Sequence, residues 1–132
     1  MNIESEAKWL TTRKDSLSFL LEYNFVEISQ GYIALDSNGT TVRVRSKIGT
    51  RGRKYELTFK TKKQGGVAQE LTHLISDEQF NELWNLTEGR RLEKTRYFVP
   101  LAGHLLTNDG TLDLTAEVDV FHGRHDGLVI TE

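Results

Sequence analysis

Residues 41–48 read Thr-Val-Arg-Val-Arg-Ser-Lys-Ile, and this stretch decides the fold class because polar and apolar side chains alternate along it. In a β-strand successive side chains point to opposite faces of the sheet, so Arg43 and Arg45 share one face and two valines share the other. The stretch therefore predicts a strand with one apolar face and one basic face.

The same alternation recurs along most of the chain. Glu4, Glu6 and Lys8 share one face of the N-terminal stretch. Glu117 and Asp119 alternate with valines near the other end. The strands that this period of two predicts are 2–10, 25–34, 40–48, 54–63, 67–75, 91–99, 112–121 and 127–132.

Two segments have helical spacing instead, Asp15–Tyr23 and Asp77–Leu86. The second is the better defined, because Ser76 suits the N-cap and Gln79 lies three residues further on, as in a capping box. Gly89 can adopt the left-handed conformation that ends a helix. The helices are expected to pack their apolar stripes on the outside of the sheet.

These elements predict an α+β fold that is mainly β, an antiparallel sheet or barrel with two helices outside it. With 132 residues and neither low-complexity segments nor repeats, we expect a single domain over residues 1–132. No apolar run is long enough to cross a bilayer, and the first residues are charged, so no membrane association is expected.

The composition excludes several classes of function. There is no cysteine, so disulfide scaffolds, thiolate nucleophiles and cysteine-based zinc sites are ruled out, and a cytoplasmic location fits best. A net charge of -2 argues against a protein that coats nucleic acid. The basic run at 60–63, near Arg51 and Arg53, is interpreted as a solvated strand end in preference to a nucleic-acid patch, apart from Lys60 itself.

The charges are sorted by strand. Basic residues dominate the stretches around Arg43, Lys60 and Lys94, whereas acidic residues dominate the N-terminal stretch and the pair at 117–119. One interpretation is an ordinary solvated sheet face. The other is a sheet that curls with this face inward, where like charges need a partner. A polyanion with a bound divalent cation would satisfy both signs of charge.

The segments that carry this pattern resemble, in order along nearly the whole chain, the CYTH domain of the triphosphate tunnel metalloenzymes. That family includes thiamine triphosphatases, inorganic triphosphatases and class IV adenylate cyclases, and the resemblance implies an eight-stranded antiparallel tunnel. The matching segments are Glu4-Ser5-Glu6-Ala7-Lys8, Gln30-Gly31-Tyr32-Ile33, Val42-Arg43-Val44-Arg45, Leu57-Thr58-Phe59-Lys60, Lys94-Thr95-Arg96-Tyr97 and Glu117-Val118-Asp119-Val120-Phe121-His122-Gly123.

Two departures from the family pattern stand out. Where the family has an Arg-x-Glu-x-Glu strand, this chain reads Ala68-Gln69-Glu70-Leu71-Thr72. The sequence also ends at Glu132, which resembles the first carboxylate of a final Glu-x-Glu, so the domain is expected to be short at its C-terminus.

The resemblance and the chemistry of the side chains together imply the site. Arginine pairs with phosphate in a bidentate way, and magnesium prefers carboxylate and phosphate oxygens. The implied catalytic residues are Glu4, Glu6 and Lys8. The implied phosphate-binding residues are Lys8, Arg43, Arg45, Lys60, Lys94 and Arg96. The implied ligands of Mg2+ or Mn2+ are Glu4, Glu6, Glu117, Asp119 and Glu132.

The function that this site implies is metal-dependent hydrolysis of the terminal phosphate of inorganic triphosphate, thiamine triphosphate or a nucleoside triphosphate. The alternatives are a class IV-like adenylate cyclase, which converts ATP to cyclic AMP and pyrophosphate, and a non-catalytic binder of nucleotide or polyphosphate. No nucleic-acid partner is expected, and the chain would act as a monomer or homodimer.

Two weaker signals have plainer interpretations. The spacing of His122 and His125 can suggest zinc, but both fall in a Gly/Asp-rich segment that is more typical of a solvated loop. Trp9 and Trp84 are interpreted as packing residues in preference to platforms for a stacked base.

Overall fold

The computed structural model describes the backbone of residues 2–5, 9–11, 18–61, 67–107 and 110–132, and the side chains of 18–61, 68–101 and 114–132. Within these residues the fold is a single antiparallel sheet of nine strands. The strands are β1 (Asn2–Ser5), β2 (Trp9–Thr11), β3 (Asn24–Leu35), β4 (Thr41–Gly49), β5 (Gly52–Lys60), β6 (Val67–Ile75), β7 (Arg91–Thr107), β8 (Gly110–Phe121) and β9 (Val129–Thr131).

The order across the sheet is β1-β6-β5-β4-β3-β7-β8-β9-β2. The prediction of a mainly β antiparallel fold is thus confirmed, but the prediction of a closed barrel of eight strands was wrong. There are nine strands, and the sheet remains open because its edge strands, β1 and β2, do not pair with each other in the described part of the chain.

The extra strand arises at the N-terminus, where one strand was predicted over 2–10. β1 pairs with β6 and β2 pairs with β9, at opposite edges of the sheet. Only residues 6–8 separate these two strands in sequence, so the covalent chain limits the distance between Ser5 and Trp9 to about 14 Å. The sheet therefore curls until its two edges come near each other.

One α-helix, α1, covers Asp77–Trp84 and continues into a 3₁₀ turn over Asn85–Thr87. The predicted capping box is present: the Ser76 hydroxyl accepts from the Gln79 N–H, and the Gln79 side chain accepts from the Ser76 N–H. The predicted first helix, Asp15–Tyr23, appears only as a 3₁₀ helix over Ser18–Glu22, and residues 12–17 lie outside the described chain.

Both helical segments pack on the same outer face of the sheet, as predicted. Phe80 of α1 is buried and lies against Tyr55 of β5, with ring centroids 4.8 Å apart. Leu20 of the 3₁₀ helix is 1% exposed and packs with Val118 and Val129. Since the apolar side chains alternate with charged ones, this packing leaves the charged residues on the opposite, concave face.

Gly31 of β3 is required where the 3₁₀ turn after α1 crosses the sheet. A Cβ at this position would lie 2.5 Å from Thr87 Oγ1 and 2.6 Å from Thr87 Cβ. Thr87 is fully buried, donates to the Trp84 carbonyl at 2.7 Å and accepts from Arg91 Nε at 2.9 Å, so it cannot easily move away. The absence of a side chain at Gly31 therefore sets how closely the helical layer approaches the sheet.

Among the described helices, none combines the length and the apolar character that crossing a membrane requires.

Candidate functional site

The concave face of the sheet encloses a cavity of about 490 Å³. Strands β3 to β9 all contribute to its walls. Five of the lining residues are cationic and four are carboxylates. The charged residues that line it are Arg43, Arg45, Lys60, Lys94, Arg96, Glu70, Glu117, Asp119 and Glu132, joined by polar Gln30, Tyr32 and His125.

The structure brings together every sequence-predicted site residue whose side chain is described. These are Arg43, Arg45, Lys60, Lys94, Arg96, Glu117, Asp119 and Glu132. Glu4 lies in β1, where its backbone pairs with Ala68, and its side chain is outside the described residues. Glu6 and Lys8 are outside the described chain altogether.

The charges follow the order of the strands across the sheet. The cations belong to its central strands, β5, β4 and β7, whereas the carboxylates belong to β6 on one side and to β8 and β9 on the other. β1 and β2 extend the two acidic sides, so the segment that carries Glu4, Glu6 and Lys8 joins acidic strands at both of its ends. The cavity thus has a basic wall, formed by its five cationic residues, with acidic strands on both sides of it.

Arg43 and Arg45 form the centre of the basic wall. They lie two residues apart on β4, opposite Tyr32 and Gln30 of β3. The Nε atoms of both guanidinium groups are buried and have no hydrogen-bond partner among the described residues. Burial, followed by the neighbouring positive charge of Arg43, lowers the pKa of Arg45 to about 10. An anion in the cavity would supply both the missing acceptors and the missing negative charge.

Lys94 and Arg96 of β7 are held by Asp119 of β8, which lies directly opposite Arg96. Arg96 donates from Nε and Nη2 to the two carboxylate oxygens at 2.8 and 3.0 Å, and Lys94 Nζ donates to Oδ2 at 2.7 Å. Burial opposes the charge of Asp119, but these donors lower its pKa below the ordinary value. Both oxygens of Asp119 are thus already engaged by cations.

The sequence did not single out Glu56, which the structure places next to Arg45 on the same face of the sheet as the basic wall. It lies opposite Arg45 on β5 and is 7% exposed. Its carboxylate is 2.9 Å from Lys47 Nζ and 3.4 Å from Arg45 Nη2. The sequence does place Glu56 on the same strand face as Lys60, because side chains alternate along the strand. The ion-pair partners of Glu56, however, depend on the register between β4 and β5.

Two further carboxylates of the cavity are neighbours in the sheet. Glu117 and Glu132 are neighbours across β8 and the C-terminal end of the chain, joined by two backbone hydrogen bonds of 2.9 Å. Arg96 Nη1 is 3.8 Å from the Glu117 carboxylate. The described side chains include no cluster of three or more residues of metal-ligand type.

Two positions of β6, Ala68 and Thr72, lack the charge that the Arg-x-Glu-x-Glu pattern would give them. Ala68 is 1% exposed, and Thr72 forms a hydroxyl–hydroxyl contact of 3.0 Å with Thr58 on β5. Glu70 between them lies 3.9 Å from Lys60 Nζ. The cavity therefore retains one charged residue of that strand.

The two histidines have separate surroundings. His122 Nε2 lies 2.7 Å from the Thr95 hydroxyl, which also donates to the carboxylate of Glu27. His125 lines the cavity and meets the Phe121 ring edge-on. Trp84 stacks on Phe80, with centroids 5.2 Å apart, and is a packing residue as predicted.

Comparison with known proteins places this geometry in a family. The chain is 37% identical over 112 residues to an inorganic triphosphatase from Nitrosomonas europaea, a match that covers 84% of this chain and 64% of the length of that protein. It also matches a solved structure of the inorganic triphosphatase NE1496 with 34% identity and a TM-score of 0.57, covering 97% of this chain and 73% of that one. The chain belongs to the family of this inorganic triphosphatase.

A second solved structure shares the fold of the family at lower identity. The PH1819 protein from Pyrococcus horikoshii OT3 matches with a TM-score of 0.60 and 19% identity, over 94% of this chain and 74% of the other. No family model matches the sequence. Membership of the triphosphatase family therefore rests on the inorganic triphosphatases and on the length of chain that they share with this protein.

Proposed function

We propose that this chain hydrolyses the terminal phosphate of a triphosphate, with inorganic triphosphate as the first substrate to consider and thiamine triphosphate or a nucleoside triphosphate as the others. Water adds to the terminal phosphorus, the bond to the bridging oxygen breaks, and orthophosphate and the corresponding diphosphate leave, the latter being pyrophosphate when the substrate is inorganic triphosphate. The observation that carries the proposal is the pair of buried Nε donors of Arg43 and Arg45, which lack partners among the described residues and lie in a cavity with five cations.

The phosphate groups would bind along the basic wall. Arg43 and Arg45 supply planar donors that match phosphate oxygens, and they lie about 7 Å apart along the strand, a spacing that two phosphate groups of one chain can span. Lys60, Lys94 and Lys8 would act as point charges. Arg96 would join them if the incoming phosphate competes with Asp119 for its guanidinium group.

A divalent cation, Mg2+ or Mn2+, suits the acidic side of the cavity. Magnesium is held by one or two carboxylates together with phosphate oxygens, and Glu117 and Glu132 are adjacent there. We assign Glu4 and Glu6 to the same ion. When bound, such a cation would offset the charge that develops on the phosphate oxygens. Asp119 would also hold it if Arg96 and Lys94 paired with the phosphates instead.

Glu4 and Glu6 are also the residues that we assign to orienting the attacking water, with Lys8 contacting the phosphate next to them. Phosphoryl transfer asks the protein mainly to position groups and to balance charge, so no covalent nucleophile is needed. The basic wall fixes the phosphate chain, and the carboxylates fix the side from which water approaches.

A non-catalytic binder is the second candidate, because Ala68 and Thr72 remove two charges that the family pattern would place in the cavity. One assay separates the candidates. The chain is incubated with inorganic triphosphate, thiamine triphosphate or ATP, with Mg2+, Mn2+ or EDTA, and the products are identified. Equal amounts of orthophosphate and pyrophosphate from inorganic triphosphate support the hydrolase. Tight binding without product supports the binder, and cyclic AMP with pyrophosphate from ATP supports a cyclase.

A further inference from the structure

Glu56 is a buried carboxylate that forms ion pairs with the cations at one end of the basic wall. Its oxygens are 2.9 Å from Lys47 Nζ, 3.4 Å from Arg45 Nη2 and 3.9 Å from Lys54 Nζ. Glu56 does not line the charged cavity of the concave face, whereas Arg45 does. Glu56 therefore acts on the cavity through Arg45, from the neighbouring strand on the same face of the sheet.

The electrostatics show that these cations depend on Glu56. Burial and then the charge of Arg45 lower the pKa of Lys47, and Glu56 opposes this effect. Glu56 is likewise the strongest opposing influence on Arg45. Burial disfavours the charged form of Glu56 itself, but the hydrogen bond and charge of Lys47, with the other two cations, bring its pKa below the ordinary value. The carboxylate remains ionised at neutral pH.

The geometry determines how Arg45 is presented. Its guanidinium group has several donors in a rigid plane, and fixing one of them fixes the direction of the others. Glu56 engages Nη2, while Nε of the same group is buried without a partner in the described part of the chain. The Nε–H of Arg45 is thus a donor that Glu56 leaves for a ligand.

Two of the cations that contact Glu56, Lys47 and Lys54, lie outside the charged cavity of the concave face. They line a second cavity of about 670 Å³, between β3, β7 and the β4–β5 hairpin, and Arg96 and Glu117 line both cavities. On β3 the neighbour opposite Lys47 is the apolar Ile28, and the next charge in that direction is Lys94 of β7. Among the described carboxylates, Glu56 is the one that contacts both Arg45 and Lys47.

We propose that Glu56 is a positioning residue for phosphate binding, which holds the Arg45 guanidinium group in the cavity wall. This inference rests on the proposed function, since it assumes that a phosphate chain binds along the basic wall. It concerns a residue that the triphosphate itself does not touch.

The test compares Glu56→Gln, which keeps the shape and removes the charge, with Glu56→Asp, which keeps the charge. Glu93→Gln, at an exposed position on β7, is the matched control. Affinity for inorganic triphosphate is measured by calorimetry in EDTA, and KM and kcat with Mg2+ are measured from pH 7 to 10. We expect Glu56→Gln to weaken binding and raise KM about tenfold, with kcat changed less than about threefold.

The pH profile separates positioning from a structural effect. In Glu56→Gln, the pKa of Arg45 should fall further below about 10, because Glu56 raises it, so the rise of KM on the alkaline side should begin earlier, and Glu56→Asp should restore part of the profile. An unchanged affinity and profile in Glu56→Gln, with only a lower melting temperature, would overturn the inference. If the natural chain binds triphosphate without hydrolysing it, calorimetry still decides the role of Glu56 while the hydrolase proposal fails. If it does not bind triphosphate, both proposals fail.

Discussion

Arg96 and Asp119 lie directly opposite each other on β7 and β8 and form a two-pronged ion pair, with Nε–Oδ1 and Nη2–Oδ2 distances of 2.8 and 3.0 Å. Lys94 adds a third bond to the same carboxylate. The Asp119 side chain is 3% exposed, so two cations and one carboxylate share a poorly hydrated site. This cluster neutralises one side of the cavity in the absence of a ligand and leaves Arg43 and Arg45 as the most available donors.

Removing the charge of Asp119 should destabilise the fold. In Asp119→Asn, Lys94 and Arg96 would remain buried without their counter-charge, and breaking a buried ion pair from one side is expected to cost about 3 kcal/mol. Urea denaturation in EDTA measures the free energy of unfolding. Asp36→Asn, in the exposed β3–β4 turn, is the control and should change it by less than about 0.5 kcal/mol. Equal, small losses in both variants would contradict the account of the cluster.

Replacing Arg45 with lysine should weaken substrate binding although the charge is kept. Lysine cannot hold Glu56 and a phosphate oxygen from one rigid plane. We expect the KM for inorganic triphosphate to rise about tenfold in Arg45→Lys, since a hydrogen bond to a charged group contributes about 1.5 kcal/mol or more. Arg90→Lys is the control, because Arg90 is exposed and donates to the carbonyls of Tyr32 and Leu86 away from the cavity. A normal KM in Arg45→Lys would show that the guanidinium geometry is not used.

A methyl group at Gly31 should separate the helical layer from the sheet. Gly31→Ala would bring a Cβ within 2.6 Å of a buried and doubly bonded Thr87, and overpacking of this kind costs about 2 kcal/mol. Gly49→Ala is the matched control, because the nearest atom to its Cβ would be 3.8 Å away. Thermal and urea denaturation compare the two variants. If both unfold at the same denaturant concentration, Thr87 is not the barrier that the structure indicates.

Neutralising the N-terminal carboxylates should abolish turnover without loosening the fold. Glu4→Gln and Glu6→Gln remove oxygen charges that we assign to the divalent cation and to the attacking water. Metal-dependent phosphate release should fall to background, while the melting temperature in EDTA stays close to that of the natural chain. A parallel loss of activity and melting temperature would return both residues to a structural role.

The stability that Glu56 contributes should depend on pH in a defined direction. Its pKa is lowered in the folded chain, so its contribution is present above its unfolded pKa of about 4.3 and is lost as the pH falls through the folded value. The free energy of unfolding is measured from pH 2 to 7 for the natural chain and Glu56→Gln. The two curves should differ at neutral pH and converge in acid. A difference that is constant across this range would mean that the ionised carboxylate is not what stabilises the fold.

The alternating pattern predicted which residues share a face of the sheet, because side-chain alternation is a local property of a strand. Arg43 and Arg45 required no knowledge of their neighbours to be placed on one face, and Glu117 and Asp119 likewise. The helix at Asp77–Trp84 was also predictable, because Ser76 and Gln79 form its cap within four residues.

Features that depend on pairing between distant strands could not be predicted in the same way. The N-terminal stretch alternates without interruption, but its two halves pair with β6 and β9 at opposite edges, which no local period encodes. The sequence shows Glu56 only as a polar residue of an alternating strand, and the register between β4 and β5 places it opposite Arg45. The ion pair of Asp119 with Arg96 has the same origin, since the sequence shows the charge of each residue but not which of them meet.

The most direct test of the account is the affinity of inorganic triphosphate for the natural chain and for the double variant Arg43→Ala/Arg45→Ala, measured by titration calorimetry in EDTA at low and high salt. We predict binding that weakens as salt rises, and a loss of about a hundredfold or more in the double variant at low salt. The same affinity in both proteins would mean that the anion does not bind against these two guanidinium groups.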